Sequence, residues 1–303
     1  MKVSDLCFIY RNAFATFNTM KIQKINIEND FLKPLQTIPD APVNLWAQGN
    51  LPKGNRPKVV SIVGSRKNTK YGEEVAYRLA YDLASQGVII VSGMAYGIDA
   101  CAHRGCLDAD GITIAVLGTT IDRIYPATNY DLSQKILKKG AILSEYGPGD
   151  LTGDWAFVRR NRLVSGLADA VIIVEATTKS GSLTTAAHAL EQGREVFAVP
   201  GDITRPMSVG CNKLIKQGAH VFTEAEDVLG ILFPQKAKQL KFEIFGDDLT
   251  EQSIIDAINS GISDGDAIIE ATKLSVSQFN QTVTLMEIKG LIRSIGFNNW
   301  VLA

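Results

Sequence analysis

Three stretches of this chain carry residue types that hold anions. Gly64-Ser65-Arg66 ends a short apolar run and precedes a helix-like stretch beginning near Tyr71-Gly72. A loop in that position aims helix N-terminal amides at a phosphate, and Arg66 adds a cation that stays charged. The competing reading pairs Arg66 with a carboxylate at the domain edge. Lys179-Ser180-Gly181-Ser182-Leu183-Thr184-Thr185 opens a second helix-like stretch. Its hydroxyls and glycine suit an anion cradle or, alternatively, an ordinary N-cap by Ser180 or Ser182. On the same edge as Arg66, phosphate binding is the preferred reading.

The third stretch is Trp155-Ala156-Phe157-Val158-Arg159-Arg160-Asn161-Arg162, with three arginines within four positions beside two aromatics. Cations next to flat rings are the combination that holds unpaired strands, where stacking contributes ~1–3 kcal/mol per base without requiring a particular sequence. The competing reading buries both aromatics and turns only some arginines to solvent. Trp155 is expected in the core, and Phe157 is left open between core and stacking platform.

Other chemistries fail on spacing. Around Gly64 there is neither a G-x-G-x-x-G fingerprint nor a phosphate-loop lysine motif. His103 lies between Cys101 and Cys106, but that spacing matches no zinc pattern, and a helix would spread the three around its surface. No metal or cofactor is therefore expected. His188 sits in an apolar helix and reads as packing. Glu145, Glu175, Asp99 and Asp202 are the carboxylates near the crevice, yet no nucleophile, base and orienting group form a legible trio. Asp99, in Gly97-Ile98-Asp99, reads as a helix cap.

These loops need a frame to bring them together. Apolar runs at 59–63, 88–91, 113–117, 141–144, 170–174 and 195–199 lack alternation, as strands covered on both faces do. Helix-like stretches between several of them indicate crossovers and a parallel sheet. Gly64-Ser65-Arg66, Ser92-Gly93, Gly118-Thr119-Thr120, Glu145-Tyr146-Gly147, Glu175 and Pro200-Gly201-Asp202 follow the six runs in turn. In an open parallel sheet such loops converge on the edge where ligands bind. The expected class is α/β, a Rossmann-like doubly wound, mostly parallel sheet over residues 56–230, with a small C-terminal winged-helix domain over 247–303. Residues 231–246 read as a linker, and 1–55 as an N-terminal extension and lead-in, in which 21–27 alternates like an edge strand. Within 247–303, helices are expected at 251–260, 266–272 and 275–289, the last opened by a capping box of Ser275 and Gln278.

Composition bounds the function. The chain has 303 residues, enough for about two domains. It is 46% hydrophobic and 21% charged, with no apolar run near the ~18 residues of a membrane helix. Thirty-one Lys and Arg against thirty-two Asp and Glu leave a charge of −1, so nucleic-acid binding must use a local patch. From 241 to 303 four basic residues face nine acidic ones, which points that domain at protein binding or internal packing rather than DNA. Cys7, Cys101, Cys106 and Cys211 are too few and scattered for a disulfide framework, and Asp5 and Arg11 interrupt any signal-peptide core, so a cytoplasmic location is expected.

The ordered stretches SIVGSRKNTKYG, VSGMAYGIDACAH, IAVLGTTIDRIYP, LSEYGPG, FVRRNRLVSGLADAVIIVEA, SGSLTTA, QGREVFAVPGDIT and GCNKLIKQGA resemble the bacterial DNA-processing protein A family, DprA or Smf. The resemblance covers about residues 34–230 and, more loosely, the C-terminal domain. It implies a single-stranded DNA-binding protein without catalytic turnover that protects incoming DNA and helps load RecA recombinase during natural transformation. It also implies a homodimer that coats DNA cooperatively. It places DNA contacts at Gly64, Ser65 and Arg66, at Arg160, Asn161 and Arg162, and at Ser180, Gly181 and Ser182, with Arg159 as the basic residue before the RNR block. Many members carry a helical domain ahead of the Rossmann unit. Here the chain before Pro34 is too short for it, and Met20 is a candidate natural start with 1–19 upstream of it.

Two other classes compete. The domain is distantly similar to nucleotide phosphoribohydrolases, whose Gly-Gly-x-Gly-Thr loop precedes a catalytic glutamate. Aligned on Ser180–Thr184, that glutamate falls on Ala187, leaving Glu175 or Glu191 to substitute in an enzyme or nucleotide sensor. The other class is a protein scaffold acting through the acidic C-terminal domain.

Overall fold

The computed structural model describes residues 21–233, 246 and 248–302. Expectations for residues 1–19, for Met20, for Cys7 and for most of the linker fall outside these. The chain forms two compact units, divided after Pro234.

In the larger unit the central strands are β3 (Val59–Val63), β4 (Ile89–Ser92), β5 (Thr113–Leu117), β6 (Ala141–Ser144), β7 (Ala170–Ile173) and β8 (Glu195–Ala198). All six sit within a residue of the apolar runs. Every residue of β3 to β7 is buried, because helices cover both faces of the sheet. β1 (Gln23–Ile25), β2 (Leu45–Gly49) and β9 (His220–Val221) complete nine strands in the order β1-β2-β6-β5-β4-β3-β7-β8-β9. From β3 the chain winds outward through β4, β5 and β6, then returns to pair β7 on the other side of β3. The pairs within β6-β5-β4-β3-β7-β8-β9 are parallel, while β1 with β2 and β2 with β6 are antiparallel. The order therefore reverses between β3 and β7, the place where a doubly wound sheet opens a crevice.

The lead-in is part of this unit, which begins upstream of residue 56. β1 and β2 extend the sheet, and Phe31, Leu32 and Leu35 are buried in one face of its core with Leu163 and Val164. Seven helices flank the sheet: α1 (Lys70–Ser85), α2 (Ile98–Asp108), α3 (Tyr130–Lys139), α4 (Asp154–Gly166), α5 (Ser182–Glu191), α6 (Val209–Lys216) and α7 (Ala225–Leu232). The opposite face of the sheet packs on α1, α2 and α7 through Leu79, Leu83, Ile98, Ala102 and Val228.

The smaller unit has α8 (Leu249–Asn259), α9 (Gly265–Thr272) and α10 (Val276–Ile288), then a hairpin of β10 (Ile292–Gly296) and β11 (Asn299–Leu302). Asp248 and Asp264 cap the first two helices, and Ser275 with Gln278 forms the capping box on the third. Its core is Ile254, Ile255, Ile268, Phe279, Val283, Met286 and Ile292. Among the described residues no helix is long and apolar enough to cross a membrane.

Candidate functional site

A cavity of about 450 Å³ opens where the strand order reverses. Its walls come from the loops after β3 (Gly64, Ser65, Arg66, Lys67), β4 (Gly93, Ala95) and β7 (Thr177, Ser180), from the start of α5 (Ser182, Thr185), and from α4 (Phe157, Arg160, Asn161). Of the three stretches singled out by residue type, Gly64-Ser65-Arg66 lines this cavity in full, the second through Ser180, Gly181, Ser182 and Thr185, and the third through Phe157, Val158, Arg160 and Asn161.

The donors are arranged unevenly around it. Arg66 and Lys67 are exposed, and among the described residues no carboxylate forms an ion pair with Arg66. The reading that paired Arg66 with a domain-edge carboxylate is thus not realised. Instead its guanidinium lies over the Phe157 ring, 5.4 Å from the centroid, a cation–π contact that fixes its direction. The helix after β3 has a carboxylate at its start. Glu175 already occupies the start of α1, accepting from Thr69 N at 2.8 Å and Thr69 Oγ1 at 2.5 Å. Thr69 in turn caps Gly72 N. A carboxylate thus already stands where this helix N-terminus is expected to take a phosphate.

At α5 the N-cap position is Gly181, and no side chain caps it. Ser180 Oγ and Ser182 Oγ lie 2.8 Å apart, and Ser180 Oγ also accepts from Ser182 N at 3.4 Å from one position ahead of the N-cap. Asn161 Nδ2 donates to Gly181 O at 3.2 Å and to Thr184 Oγ1 at 2.9 Å, tying this loop to α4. A Cβ on Gly181 would meet nothing within 4 Å, so this backbone is open to an approaching ligand.

The arginine cluster does not form one patch. Successive helical residues point about 100° apart, so neighbours in sequence diverge in space. Arg159 is exposed and turns toward Asp40 and Glu145. Arg162 is 4% exposed and holds Glu145 through two hydrogen bonds of 2.8 and 2.6 Å, with Asp40 at 3.1 Å. Neither lines the cavity. Arg160, also 4% exposed, points inward under it and donates to Gly93 O and Val116 O. The expected three-arginine surface patch is corrected accordingly: burial and pairing spend Arg160 and Arg162, and Arg159 faces two carboxylates. Trp155 also departs from expectation. It is 55% exposed on the outer side of α4, edge-on to Tyr146. Phe157 is half-buried, between the Arg66 guanidinium and the Tyr125 ring at 5.3 Å.

Beneath the cavity lies a buried polar brace. Asp99 is not at the cap of α2; that position is Gly97. Its carboxylate turns back to accept from Gly93 N at 3.1 Å and Ala95 N at 3.3 Å. Burial pushes its pKa above the ordinary carboxylate range, while Arg160, and more weakly Arg66, draw it back. Burial brings the Arg160 guanidinium down to about 10, so it keeps its charge at neutral pH. Gly93 is required here because a Cβ would strike that guanidinium; at Gly118 it would strike the Phe157 ring. Two of the strand-end glycines therefore make room for site side chains.

The remaining titratable candidates are accounted for. Among the described residues no cluster of three His, Cys, Asp or Glu could hold a metal ion. Cys101, Cys106 and Cys211 are buried thiols, and burial pushes Cys106 and Cys211 up to about 12. His188 is partly exposed beside Glu191 rather than packed away. His103 is buried against Thr113. Residue-type reasoning missed Tyr96 and Tyr125, which line a small cleft sharing Arg66 and Phe157 with the cavity, and Asn129, which ties their loops together. Each stands at the end of a strand loop, next to Gly97, Pro126 and Tyr130, where an aromatic beside a turn residue was the available signal.

The family model for DNA recombination-mediator protein A matches residues 24–232. The DNA processing protein DprA of Bacillus subtilis strain 168 is 43% identical over 194 residues, 64% of this chain and 65% of that protein. A DprA of Mycobacterium tuberculosis is 44% identical over 190 residues, 62% of this chain and 49% of its own. The chain thus spans between half and two thirds of these relatives. Among solved structures, DprA from Streptococcus pneumoniae is 38% identical with a TM-score of 0.62, covering 75% of this chain and 80% of that one. DNA processing protein A from Helicobacter pylori, described for its single-stranded DNA binding mode, is 30% identical with a TM-score of 0.63, over 71% and 97%.

Proposed function

The chain belongs to the DNA recombination-mediator protein A family, and from that premise we propose that it binds single-stranded DNA and acts by holding it rather than by turnover. The observation that carries this reading is the cavity at the β3–β7 switch. There the unpaired Arg66 cation faces the uncapped start of α5 across a space lined by Ser65, Ser180 and Ser182. Arg66 and the Ser180-Gly181-Ser182 loop hold a backbone phosphate, Lys67 lies beside it with Lys179 exposed next to Ser180 in sequence, and Arg160 and Asn161 position the loops that form the walls. The single-stranded DNA binding of the Helicobacter pylori relative supports the choice of ligand.

The finer reading follows the family. In it the protein protects incoming single strands during natural transformation, helps load RecA recombinase, and works in the cytoplasm as a homodimer. The three helices and hairpin act as an acidic winged helix that contacts protein. The phosphoribohydrolase alternative loses both of its substitute carboxylates. Glu175 is engaged at Thr69, and Glu191 closes the far end of α5, roughly 13 Å of helix rise from Ser182.

The test is fluorescence anisotropy with labelled oligo-dT and a matching duplex, titrated across salt. Three exposed cations, Arg66, Lys67 and Lys179, give a single-strand salt slope of roughly −2. Tighter binding to the single strand with that slope supports the reading. No binding to either ligand sinks it.

A further inference from the structure

Tyr96 and Tyr125, 45% and 43% exposed, line a small cleft that shares Arg66, Phe157 and Arg160 with the cavity. A large aromatic left in water forgoes the stabilisation of burial, and it persists where the backbone beneath it cannot collapse. Both loops here are held. In the loop after β4, Gly93 N and Ala95 N donate to the buried Asp99 carboxylate, and Met94 takes φ 61°, a left-handed conformation rare for such a residue. The turn Ala127–Asn129 follows Tyr125, and its buried Asn129 reaches across to donate to Met94 O at 2.9 Å and Ala95 O at 3.3 Å. One side chain therefore fastens the Tyr125 segment to the Tyr96 loop.

Between the two tyrosines runs a narrow cleft shared with Arg66 and Phe157. Phe157, the aromatic that sequence offered as a stacking platform, is not free: it carries Arg66 on its ring and the tilted Tyr125 ring beside it, at 50° between planes. Its role is to aim the cation. The aromatic surface open to a ligand next to that cation belongs to Tyr125 and Tyr96. A phosphate-binding guanidinium beside preset, exposed rings matches a phosphate joined to a flat heterocycle.

We propose that Tyr96 and Tyr125 form the base-stacking platform of this site, taking an unpaired nucleobase adjacent to the phosphate held at Arg66. The proposal rests on the single-strand reading and goes beyond it, because it separates base contact from phosphate contact and moves the former off Phe157. Such a platform tolerates any base, since every base has a π-face.

The experiment compares labelled oligo-dT with an abasic oligomer of equal length, whose backbone keeps its phosphates and lacks bases. The full chain is tested as wild type, Tyr96→Leu, Tyr125→Leu, the double variant, and Tyr96→Phe. Each leucine variant is expected to lose at least about fivefold in affinity for oligo-dT, with less than about twofold change on the abasic strand and an unchanged salt slope. Tyr96→Phe keeps the ring and retains affinity. Tyr125 touches Phe157, so its variant could disturb Arg66; Tyr96 makes no ring contact among the described residues and gives the cleaner arm. Undiminished oligo-dT affinity in the double variant overturns the platform, as does an equal loss on the abasic strand. Failure of the wild type to bind either oligomer overturns the single-strand reading itself, a separate outcome.

Discussion

Arg66 and Arg160 line the same cavity and would look interchangeable in a list of basic residues, yet their replacement should break different properties. Arg160→Met removes a buried guanidinium that donates to Gly93 O and Val116 O and offsets Asp99. Both carbonyls lose this donor, and Asp99 keeps the Gly93 and Ala95 amides and the weaker pull of Arg66. Removing one partner from such a buried charged arrangement costs roughly 3–5 kcal/mol. In a unit of this size each kcal/mol lowers the melting temperature by roughly 2–4 °C, so the expected fall is roughly 6–20 °C. Arg66→Ala removes an exposed cation and should melt within about 2 °C of wild type while losing oligo-dT affinity and about one phosphate's share of salt slope.

The pH dependence sharpens this. The Asp99 carboxyl already titrates above its ordinary range, and without Arg160 it rises further. The folded protein then holds that proton more tightly than the unfolded chain, so stability falls as pH rises through the raised value. The deficit of Arg160→Met should therefore be larger at pH 8 than at pH 5. Adding Asp99→Asn should remove this pH dependence and recover part of the loss. Thermal melts by circular dichroism at the two pH values, beside oligo-dT anisotropy, read all four expectations. An Arg160→Met protein that melts with wild type would refute the brace. An Arg66→Ala protein as unstable as Arg160→Met would refute the division of roles.

Thr113 Oγ1 donates to Ile90 O at 2.9 Å, so His103 Nδ1 must be the donor to Thr113 at 2.7 Å, and its Nε2 stays bare and buried. Burial, with Arg160 and Arg104 adding repulsion, lowers its pKa to about 3, so stability should fall by roughly 1.4 kcal/mol per pH unit below about 6.5. Urea unfolding at pH 7.5 and 5.5 should show this in wild type and a smaller fall in His103→Gln; equal falls count against it. Arg162→Met leaves Glu145 with only the 3.8 Å contact to Arg159 and should lose about 3 kcal/mol of stability while oligo-dT affinity at 25 °C stays within about twofold. A large loss of affinity in the folded variant would return Arg162 to the binding surface. Deleting residues 235–303 should leave oligo-dT affinity within about threefold, because the cavity is built wholly from the larger unit; a loss beyond tenfold contradicts that independence.

The six central strands were legible because burial on both faces writes continuous apolar runs, and their following loops could be gathered on one edge from parallel topology alone. β2 was not, since Leu45–Gly49 lies in a proline-bearing stretch and alternates buried with half-buried residues. The site was half legible. Gly64 to Arg66 and Ser180 to Ser182 face the cavity because loop residues after strands have few other places to point. The arginine cluster misled because sequence distance is not angular distance on a helix: Arg160 turns inward, and Arg159 and Arg162 turn to Asp40 and Glu145. The glutamate that closes α1 lies more than a hundred residues away in sequence, as does Asp40 from Arg162, and no local pattern announces such pairings.

The buried arginines also bear on how a chain with a formal charge of −1 can present the proposed anion site. Arg160 and Arg162 contribute little outward field, since Asp99, Glu145 and Asp40 offset them close by. What they contribute is rigidity: Arg160 fixes the Gly93 carbonyl and Val116, and Arg162 anchors α4, from which Phe157 aims Arg66. A preset donor loses less conformational freedom when it captures a phosphate, so a few exposed cations can suffice where a flexible surface would need many. On the proposed single-strand reading, such a site holds a short reach of strand through a small number of charges, and the retention of a long strand by many copies side by side belongs to the same proposal.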